Sequence, residues 1–169
     1  MKKICLIILI MILVLTTACG ITKKDGDDIK LGDTISNEYM KITLNKVSIY
    51  DDLTSMSDDL KDTDDEKYVL ISYTYKNLDQ TIETHSNWVN IKLYDDKDEY
   101  TYIKHYSKDD LSNFYYDEFI DVEPLEEKEI FSVIKVPNDV AENTEEVTLN
   151  IKVGTINHKY IGSIELMEN

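Results

Sequence analysis

Cysteine and glycine are scarce in this chain of 169 residues, and arginine is absent. The two cysteines, Cys5 and Cys19, lie within the first 20 residues, so the rest of the chain has no thiol for a disulfide or for nucleophilic attack. The five glycines form none of the loops that cradle phosphate groups. We therefore expect a fold that is held by packing alone, with no disulfide partner.

Recognisable catalytic and metal-binding motifs are missing as well. The three histidines, His85, His105 and His158, are far apart and form no His-x-x-x-His spacing, and there is no Gly-x-Ser-x-Gly motif. We interpret the histidines as residues at the surface or at strand ends. Paired carboxylates are too frequent in this chain to single out a general acid and base. We predict a protein that is not an enzyme, with no catalytic residues, no metal ligands and no cofactor.

Positive charge is also in deficit. The chain has 34 acidic residues against 18 basic ones, all of them lysine, and a net charge of −16 at pH 7. Phosphate groups repel such a chain, which excludes nucleic acid as a partner. Anionic lipid head groups repel it too, so a domain tethered to a membrane is expected to stand off the bilayer.

A long apolar run occurs at the N-terminus. Lys2 and Lys3 precede residues 4–15, which are almost all apolar, and small residues then lead through Ala18 to Cys19. A basic start, a short apolar stretch and a small-residue cleavage site are typical of a secretory signal peptide. The run is shorter than the ~20 apolar residues that a membrane-spanning helix needs.

The segment Leu15-Thr16-Thr17-Ala18-Cys19 resembles the lipobox of bacterial prolipoproteins. Thr16 stands where that family usually has Leu, Val or Ile, and a looser form of the pattern accepts Thr. The resemblance implies cleavage after Ala18 and attachment of a diacylglyceryl group to Cys19. Two acyl chains hold a protein stably on a bilayer. The implied location is the outer face of the cell membrane, with the lipid bilayer as a partner through Cys19.

The predicted signal peptide, residues 1–18, sets the organisation of the rest. Residues 19–30 comprise the lipidated N-terminus and a polar stretch without periodicity, which is typical of a flexible tether. Residues 31–169 then form one domain, because the roughly 150 residues left after cleavage suffice for one core.

Apolar residues recur at every second position in this domain, which is the pattern of β-strands. Such runs occupy residues 40–49, 69–75, 89–93, 130–136 and 147–153. The phase shifts by one residue near Asn45 and Lys46, which predicts a β-bulge. Turn residues at 95–98 and 154–157 predict two hairpins, the second returning through residues 160–166.

Seven to nine short strands without a long helix predict an all-β, antiparallel sandwich. Two longer connections interrupt the strands. In residues 51–66, Leu53, Met56 and Leu60 are spaced as one face of a short helix. Residues 104–119 are expected to hold a helical turn.

The order of these features resembles a family of exported bacterial domains of unknown function with an immunoglobulin-like, telokin-like β-sandwich. The matching pieces are Gly32-Asp33, the strand from Tyr68 to Lys76-Asn77, Leu93-Tyr94-Asp95 with Tyr100, and Val136-Pro137. Pro124-Leu125-Glu126 departs from the family's Pro-Gly-Glu element because it lacks the glycine. The resemblance implies an immunoglobulin-like antiparallel β-sandwich and a surface location, with no agreed activity.

Twelve tyrosines and Trp88 are the chemically distinctive residues of the domain. Most fit sheet positions, where tyrosine is favoured. An aromatic-rich loop is where a binding surface for a protein or glycan partner would lie. Our candidate interaction surface is therefore the set Tyr102, Tyr106, Phe114, Tyr115 and Tyr116.

Clustered carboxylates provide the alternative hypothesis, a calcium-binding surface domain, because calcium prefers six to eight oxygen ligands. One cluster is Asp62, Asp64, Asp65 and Glu66, and the other is Asp95, Asp96, Asp98 and Glu99. Neither has the order of an EF-hand loop, and charge runs are usually solvated. An enzyme without a recognisable motif is the second alternative.

Overall fold

The computed structural model of the protein describes residues 22–23, 26–108, 113–117, 119–144 and 148–167. The predicted signal peptide, its cleavage site after Ala18, and Cys19 lie outside these residues. No helix in the described part of the chain is long and apolar enough to cross a membrane.

Strands dominate the described residues. The thirteen strands are β1 Thr22–Lys23, β2 Thr34–Ser36, β3 Met40–Tyr50, β4 Glu66–Asn77, β5 Glu83–Thr84, β6 Val89–Tyr94, β7 Glu99–Lys108, β8 Phe114–Tyr116, β9 Asp121–Val122, β10 Glu127–Pro137, β11 Thr148–Val153, β12 Ile156–Lys159 and β13 Glu165–Met167. A 3₁₀ turn at His85–Asn87 precedes β6, and the helix α1, Asn138–Glu142, follows β10. Seven of these strands have four or more residues, in line with the predicted seven to nine.

The strands form an antiparallel β-sandwich, as predicted. The first sheet has the order β2-β3-β4-β10-β7, with β8 beside β7, and the second has the order β7-β6-β11-β12. Strand β7 belongs to both, because Glu99, Tyr100 and Thr101 pair with β6 and later residues pair with β10. Two pairings at the margins, β1 with β2 and β13 with β3, are parallel.

Period-two alternation places the main core between the two sheets. Met40, Ile42 and Leu44 of β3 point inward, and Val47 resumes the inward face after the register shifts between Leu44 and Lys46. This shift confirms the predicted β-bulge at Asn45. Tyr73 and Tyr75 of β4 also face this core and are fully buried.

A second, smaller apolar cluster covers the outer face of the first sheet. The connection 51–65 lies over that face and buries Leu53, Met56 and Leu60. It does so with turns, so the predicted helix is wrong: Leu53 N–H donates to the carbonyl of Leu60 at 2.9 Å and closes the segment as a loop. The spacing of Leu53, Met56 and Leu60 arises because all three side chains pack against β4, where Tyr68 and Leu70 belong to the same cluster.

The second predicted helical turn is also wrong for the described residues, because Glu99–Lys108 and Phe114–Tyr116 are strands. The C-terminal hairpin exists, but its return arm is Ile156–Lys159 rather than residues 160–166. The physical reason is a turn of only two residues, in which Gly154 adopts φ +61°, a left-handed conformation that favours glycine. The chain then leaves the second sheet and pairs with β3.

Candidate functional site

The five aromatic residues predicted to form one interaction surface lie in three different surroundings. Tyr102 faces the main core, and Tyr106 is fully buried in the outer cluster. Phe114 is half-buried on the outer face, whereas Tyr115 and Tyr116 are 53% and 55% exposed. The structure therefore does not assemble the set into one patch.

A bulge in β7 separates these residues. The register with β10 shifts between Tyr102 and Lys104, so Ile103 is left unpaired and the alternation of β7 changes phase. Tyr102 consequently points inward and Tyr106 outward. Strand β8 continues the outer pattern at Phe114 and Tyr116, and its middle residue Tyr115 points to the other side.

The concave feature next to Phe114 is a groove of about 350 Å³ on the outer face of the first sheet. We call it the aromatic groove and define it by the apolar residues Tyr50, Leu70, Phe114 and Phe131 together with the polar residues Lys46, Lys108 and Glu129. The connection 51–65 forms one wall, and β8 forms the other. Because four segments that are distant in sequence contribute, the groove exists only in the folded chain.

Two lysines contact the aromatic residues of the groove. The Lys108 Nζ is 4.6 Å from the centroid of Phe114 and 4.9 Å from that of Phe131. On the opposite side, Lys46 Nζ donates a hydrogen bond to Tyr50 Oη at 2.6 Å and lies beyond that hydroxyl, 5.3 Å from the ring centroid, so its contact is with the phenol oxygen and not with the ring face. Cation–π contacts such as those of Lys108 contribute roughly 0.5 to 2 kcal/mol, depending on how far the cation is desolvated.

These two ammonium groups are not neutralised by a neighbouring carboxylate in the part of the chain that the structure describes. Within the described ranges, neither Lys46 nor Lys108 forms an ion pair with a carboxylate, although six other lysines do. Glu129 is the carboxylate of the groove, and it accepts a hydrogen bond from Ser72 Oγ at 2.8 Å. The aromatic groove therefore offers cations above an apolar floor.

The wall of the groove is held in place by local polar contacts. Lys104 of β7 forms an ion pair with Asp59 of the connection, and this contact lowers the pKa of the Asp59 carboxyl. Tyr68 Oη donates to the carbonyl of Lys61 at 2.9 Å. Asp52 accepts hydrogen bonds from Thr54, which lower the pKa of its carboxyl. The connection 51–65 is thus tied to the sheet beneath it at several points.

All three histidines are buried, so a surface position is wrong for each, whereas a strand end is right for His85, which follows β5, and for His158, which is next to the end of β12. His85 is 0% exposed and His105 is 1% exposed. Their rings meet edge to face, with centroids 4.5 Å apart, and Tyr102 covers His105 at 3.9 Å. His158 is buried as well, and its Nδ1–H donates to the carbonyl of Asp27 at 3.0 Å.

Burial keeps the histidine pair uncharged. Loss of solvation lowers the pKa of His85 to about 4 and that of His105 to about 3, and the neighbouring His85 contributes to the second shift. A hydrogen bond of 2.8 Å joins His105 Nδ1 to Ser132 Oγ, which is 3.3 Å from Tyr73 Oη. This serine and histidine have the contact of a nucleophile and its base, but a substrate cannot reach side chains with no exposed surface. We assign them a structural role.

Three carboxylates of the calcium hypothesis, Asp95, Glu99 and Glu66, bind other groups of the protein itself. Asp95 accepts the backbone N–H groups of Lys97 and Asp98 at 2.8 and 2.6 Å, which closes the hairpin turn and lowers the pKa of its carboxyl. Glu99 pairs with Lys92, and Glu66 pairs with Lys135. In the described part of the chain, no group of three or more His, Cys, Asp or Glu side chains is placed to hold a metal ion.

Sequence reasoning found Phe114 but missed the rest of the aromatic groove. The available signal was the second face of each strand: Tyr50, Leu70 and Phe131 are apolar at positions that point away from the main core. An apolar residue on the outer face of a sheet indicates a cover or a binding surface. The sequence pattern did not show which segment lies over that face.

Solved structures share this fold. An uncharacterized β-sandwich protein from Clostridium difficile 630 matches with a TM-score of 0.65 and 22% identity, over 83% of this chain and 97% of that one. A conserved hypothetical protein from Bacillus anthracis matches with a TM-score of 0.53 and 12% identity, over 82% of this chain and 99% of that one. No protein-family model and no curated protein matches the chain. The structural likeness establishes the β-sandwich alone.

Proposed function

We propose that this protein is an extracytoplasmic lipoprotein whose β-sandwich is a non-catalytic binding module that uses the aromatic groove. The single observation that carries the binding role is the pair of lysines at an open groove, Lys108 over two phenylalanine rings and Lys46 on the Tyr50 hydroxyl, without carboxylate partners in the described residues. The lipobox-like segment ending at Cys19 supports the location. We assign the sandwich to the immunoglobulin-like class, because the features between Gly32 and Pro137 occur in the order that is typical of that family.

The anchor is tested by substitution of its cysteine. Cys19→Ser removes the thiol that would receive the lipid, so the protein is expected to lose its label from radioactive palmitate and to leave the detergent-rich phase. Cys5→Ser, within the predicted signal peptide, is the matched control and is expected to change neither result. Retention of label by the Cys19→Ser variant would contradict the lipid attachment.

The groove is better suited to a peptide than to a sugar. Phe114 and Phe131 meet edge to face, with centroids 5.0 Å apart and an interplanar angle of 78°, and Lys108 lies over both. Lys108 therefore occupies the space above these two rings, where a flat sugar would stack. An apolar side chain of an incoming peptide can instead pack in the groove beside the rings, where removal of apolar surface contributes about 25 cal/mol per Å².

The charges of the groove specify the peptide further. Lys46 and Lys108 attract a carboxylate, and a charge-assisted hydrogen bond to either is worth roughly 1.5 to 3 kcal/mol. The expected ligand is accordingly a segment of another extracytoplasmic protein with an apolar side chain next to an acidic one. A chain of net charge −16 otherwise repels acidic segments, so recognition would be confined to this groove.

Selection from an unbiased peptide library tests this ligand class. Sequences enriched on the native protein are expected to combine an aromatic or large aliphatic residue with Asp or Glu within a few positions. Lys108→Ala and Phe114→Ala are each expected to weaken binding of those peptides about tenfold. Lys41→Ala, which removes an exposed lysine of β3 outside the groove, serves as the control. Enrichment of basic peptides, or binding unaffected by the groove variants, would refute the proposal.

A further inference from the structure

The outer face of the second sheet carries a regular block of asparagine and lysine side chains on the side of the sandwich opposite the aromatic groove. We call it the Asn-Lys face. One row across β6, β11 and β12 contains Asn90, Lys152 and Asn157, and the adjacent row contains Lys92, Asn150 and Lys159. The two rows alternate, so every lysine has an asparagine directly opposite it. The six side chains point outward because Val89, Ile91, Leu149 and Ile151 occupy the inward positions.

This face is concave. A depression of about 320 Å³ is lined by Tyr94 and by all of these residues except Lys159, which lies beside it opposite Asn150. That volume is near the lower end of the range of roughly 300 to 1,000 Å³ found for small-molecule sites. The lining is polar, with amide and ammonium groups at its centre and one phenol ring at its edge.

The charge of the Asn-Lys face is opposite to that of the whole chain. It contains three lysines, and Glu99 is the one carboxylate at its paired positions, whereas acids outnumber lysines 34 to 18 in the sequence. Glu99 pairs with Lys92 at 2.6 Å, and within the described residues Lys152 and Lys159 form no ion pair. Because the Debye length is about 8 Å at physiological ionic strength, a bound group senses these lysines more than the distant acids.

We infer that the Asn-Lys face binds an anionic saccharide. Each asparagine amide has two N–H donors and one acceptor oxygen, which match hydroxyl groups that both donate and accept. The ammonium groups of Lys152 and Lys159 bind carboxylate or phosphate substituents. Tyr94 supplies a ring face for the C–H surface of a sugar at the border of the depression. A neutral sugar would leave the lysines unused, and a bare polyanion would leave the asparagines unused.

A purely solvated face would have another composition. The outer surface of a sheet only has to be polar, and in this chain the commonest polar residues are acidic. Carboxylates beside Lys152 and Lys159 would stabilise the sheet through opposite-charge pairs across the strands. Asparagine is disfavoured in strands, yet Asn90, Asn150 and Asn157 occupy neighbouring positions here. A ligand that needs amides and cations side by side explains why asparagines occupy positions where carboxylates would be expected.

Calorimetric titration of the full-length protein in detergent tests the inference. The probes are trigalacturonate, phosphorylated maltotriose, unmodified maltotriose and tripolyphosphate. Binding is expected for one or both of the first two, which distinguishes carboxylate from phosphate, and at least about tenfold weaker binding is expected for the last two. Affinity is expected to fall as salt is raised, because the contacts are exposed and therefore screened.

Variants link any binding to this face. Lys152→Ala with Lys159→Ala, and separately Asn150→Ala, are each expected to weaken saccharide binding about tenfold, while circular dichroism reports an unchanged fold. Lys41→Ala is the matched control on the other sheet. Absence of binding to both anionic saccharides, tripolyphosphate binding as tight as theirs, or binding that survives these substitutions would each overturn the inference. None of these outcomes bears on the aromatic groove, which the peptide selection tests separately.

Discussion

Acidification from pH 7 to pH 5 is expected to lower the free energy of unfolding by about 4 kcal/mol, because two buried histidines are neutral in the folded chain. His85 and His105 are fully buried, and burial lowers their pKa values to about 4 and about 3, against an ordinary value of 6.5. The backbone of Ile120 and, to a smaller extent, the carboxylate of Asp117 raise the pKa of His85, but desolvation has the larger effect.

The sign follows from proton binding. Between the ordinary pKa and the lowered one, the unfolded chain binds protons that the folded chain does not, so stability falls as the pH falls. The contribution of each histidine is intact above pH 6.5 and is lost progressively toward the folded pKa. Linkage gives about 2 kcal/mol for each over this interval. The carboxyls of Asp52 and Asp59 have lowered pKa values, so they titrate below pH 5 and do not contribute over this interval.

Urea unfolding at pH 7, 6 and 5 measures this effect, with the fluorescence of Trp88 as the signal. Trp88 is the only tryptophan, is partly buried, and stacks on Tyr39 at 5.5 Å, so unfolding changes its surroundings. The matched variant is His85→Phe. Neither ring nitrogen of His85 forms a well-aligned hydrogen bond in the described structure, and the backbone of Ile120 interacts with the ring only weakly. An apolar ring of similar size therefore removes the titration at small cost.

The variant is expected to be at least as stable as the native protein at pH 7 and to lose about 2 kcal/mol less on acidification to pH 5. A loss below about 1 kcal/mol in the native protein would refute the assignment of buried, neutral histidines. An identical loss in His85→Phe would show that other groups cause the acid sensitivity.

Three further changes probe the fold. Asn77→Ala is expected to cost about 2 to 3 kcal/mol in urea unfolding, because the buried amide donates to two backbone carbonyls that would lose their partner. Gly162→Ala is expected to cost about 1 to 2 kcal/mol, since an added Cβ would lie 2.3 Å from Tyr160 Oη and would displace its hydrogen bond to a backbone carbonyl. Lys104→Ala is expected to change stability by less than about 1 kcal/mol, because its partner Asp59 is largely exposed. A large loss for Lys104→Ala, or none for Asn77→Ala and Gly162→Ala, would contradict these assignments.

Alternation along the strands made the sandwich predictable. The runs at 40–49 and 69–75 became β3 and β4, and the change of phase near Asn45 became a bulge because the apolar residues resume on the same face after it. These features depend on neighbours in sequence and on one buried face. Physical rules of period and turn chemistry therefore suffice for them.

Features that depend on contacts between distant segments were not predictable. The bulge at Ile103 reverses the faces of β7, which buries His105 and separates Tyr102 from Tyr106. Nothing in the local pattern of a polar and aromatic strand marks such a shift. The short turn at Gly154 likewise sets the register that buries His158. In both strands, a shift of one residue changes which side chains are buried.

The aromatic groove on the outer face of the first sheet was also only partly predictable from the sequence. Phe114 was identified from an aromatic-rich stretch, but Lys46 and Phe131 join it from strands far away in sequence. The apolar residues of the connection 51–65 are buried on one side, as the helix prediction implied, but the backbone forms turns and not a helix. Which segment covers a sheet is decided by packing, and packing is not encoded in the spacing of one segment.

The most direct test of the proposed binding role is a map of backbone amide chemical shifts, recorded while a library-selected peptide is added to the chain from residue 19 with Cys19→Ser. The proposal predicts saturable shifts at Lys46, Leu70, Lys108 and Phe131, which surround the groove, and none on the Asn-Lys face. Shifts confined to another surface, or no saturable shifts at millimolar peptide, would contradict the assignment of the aromatic groove as the binding site.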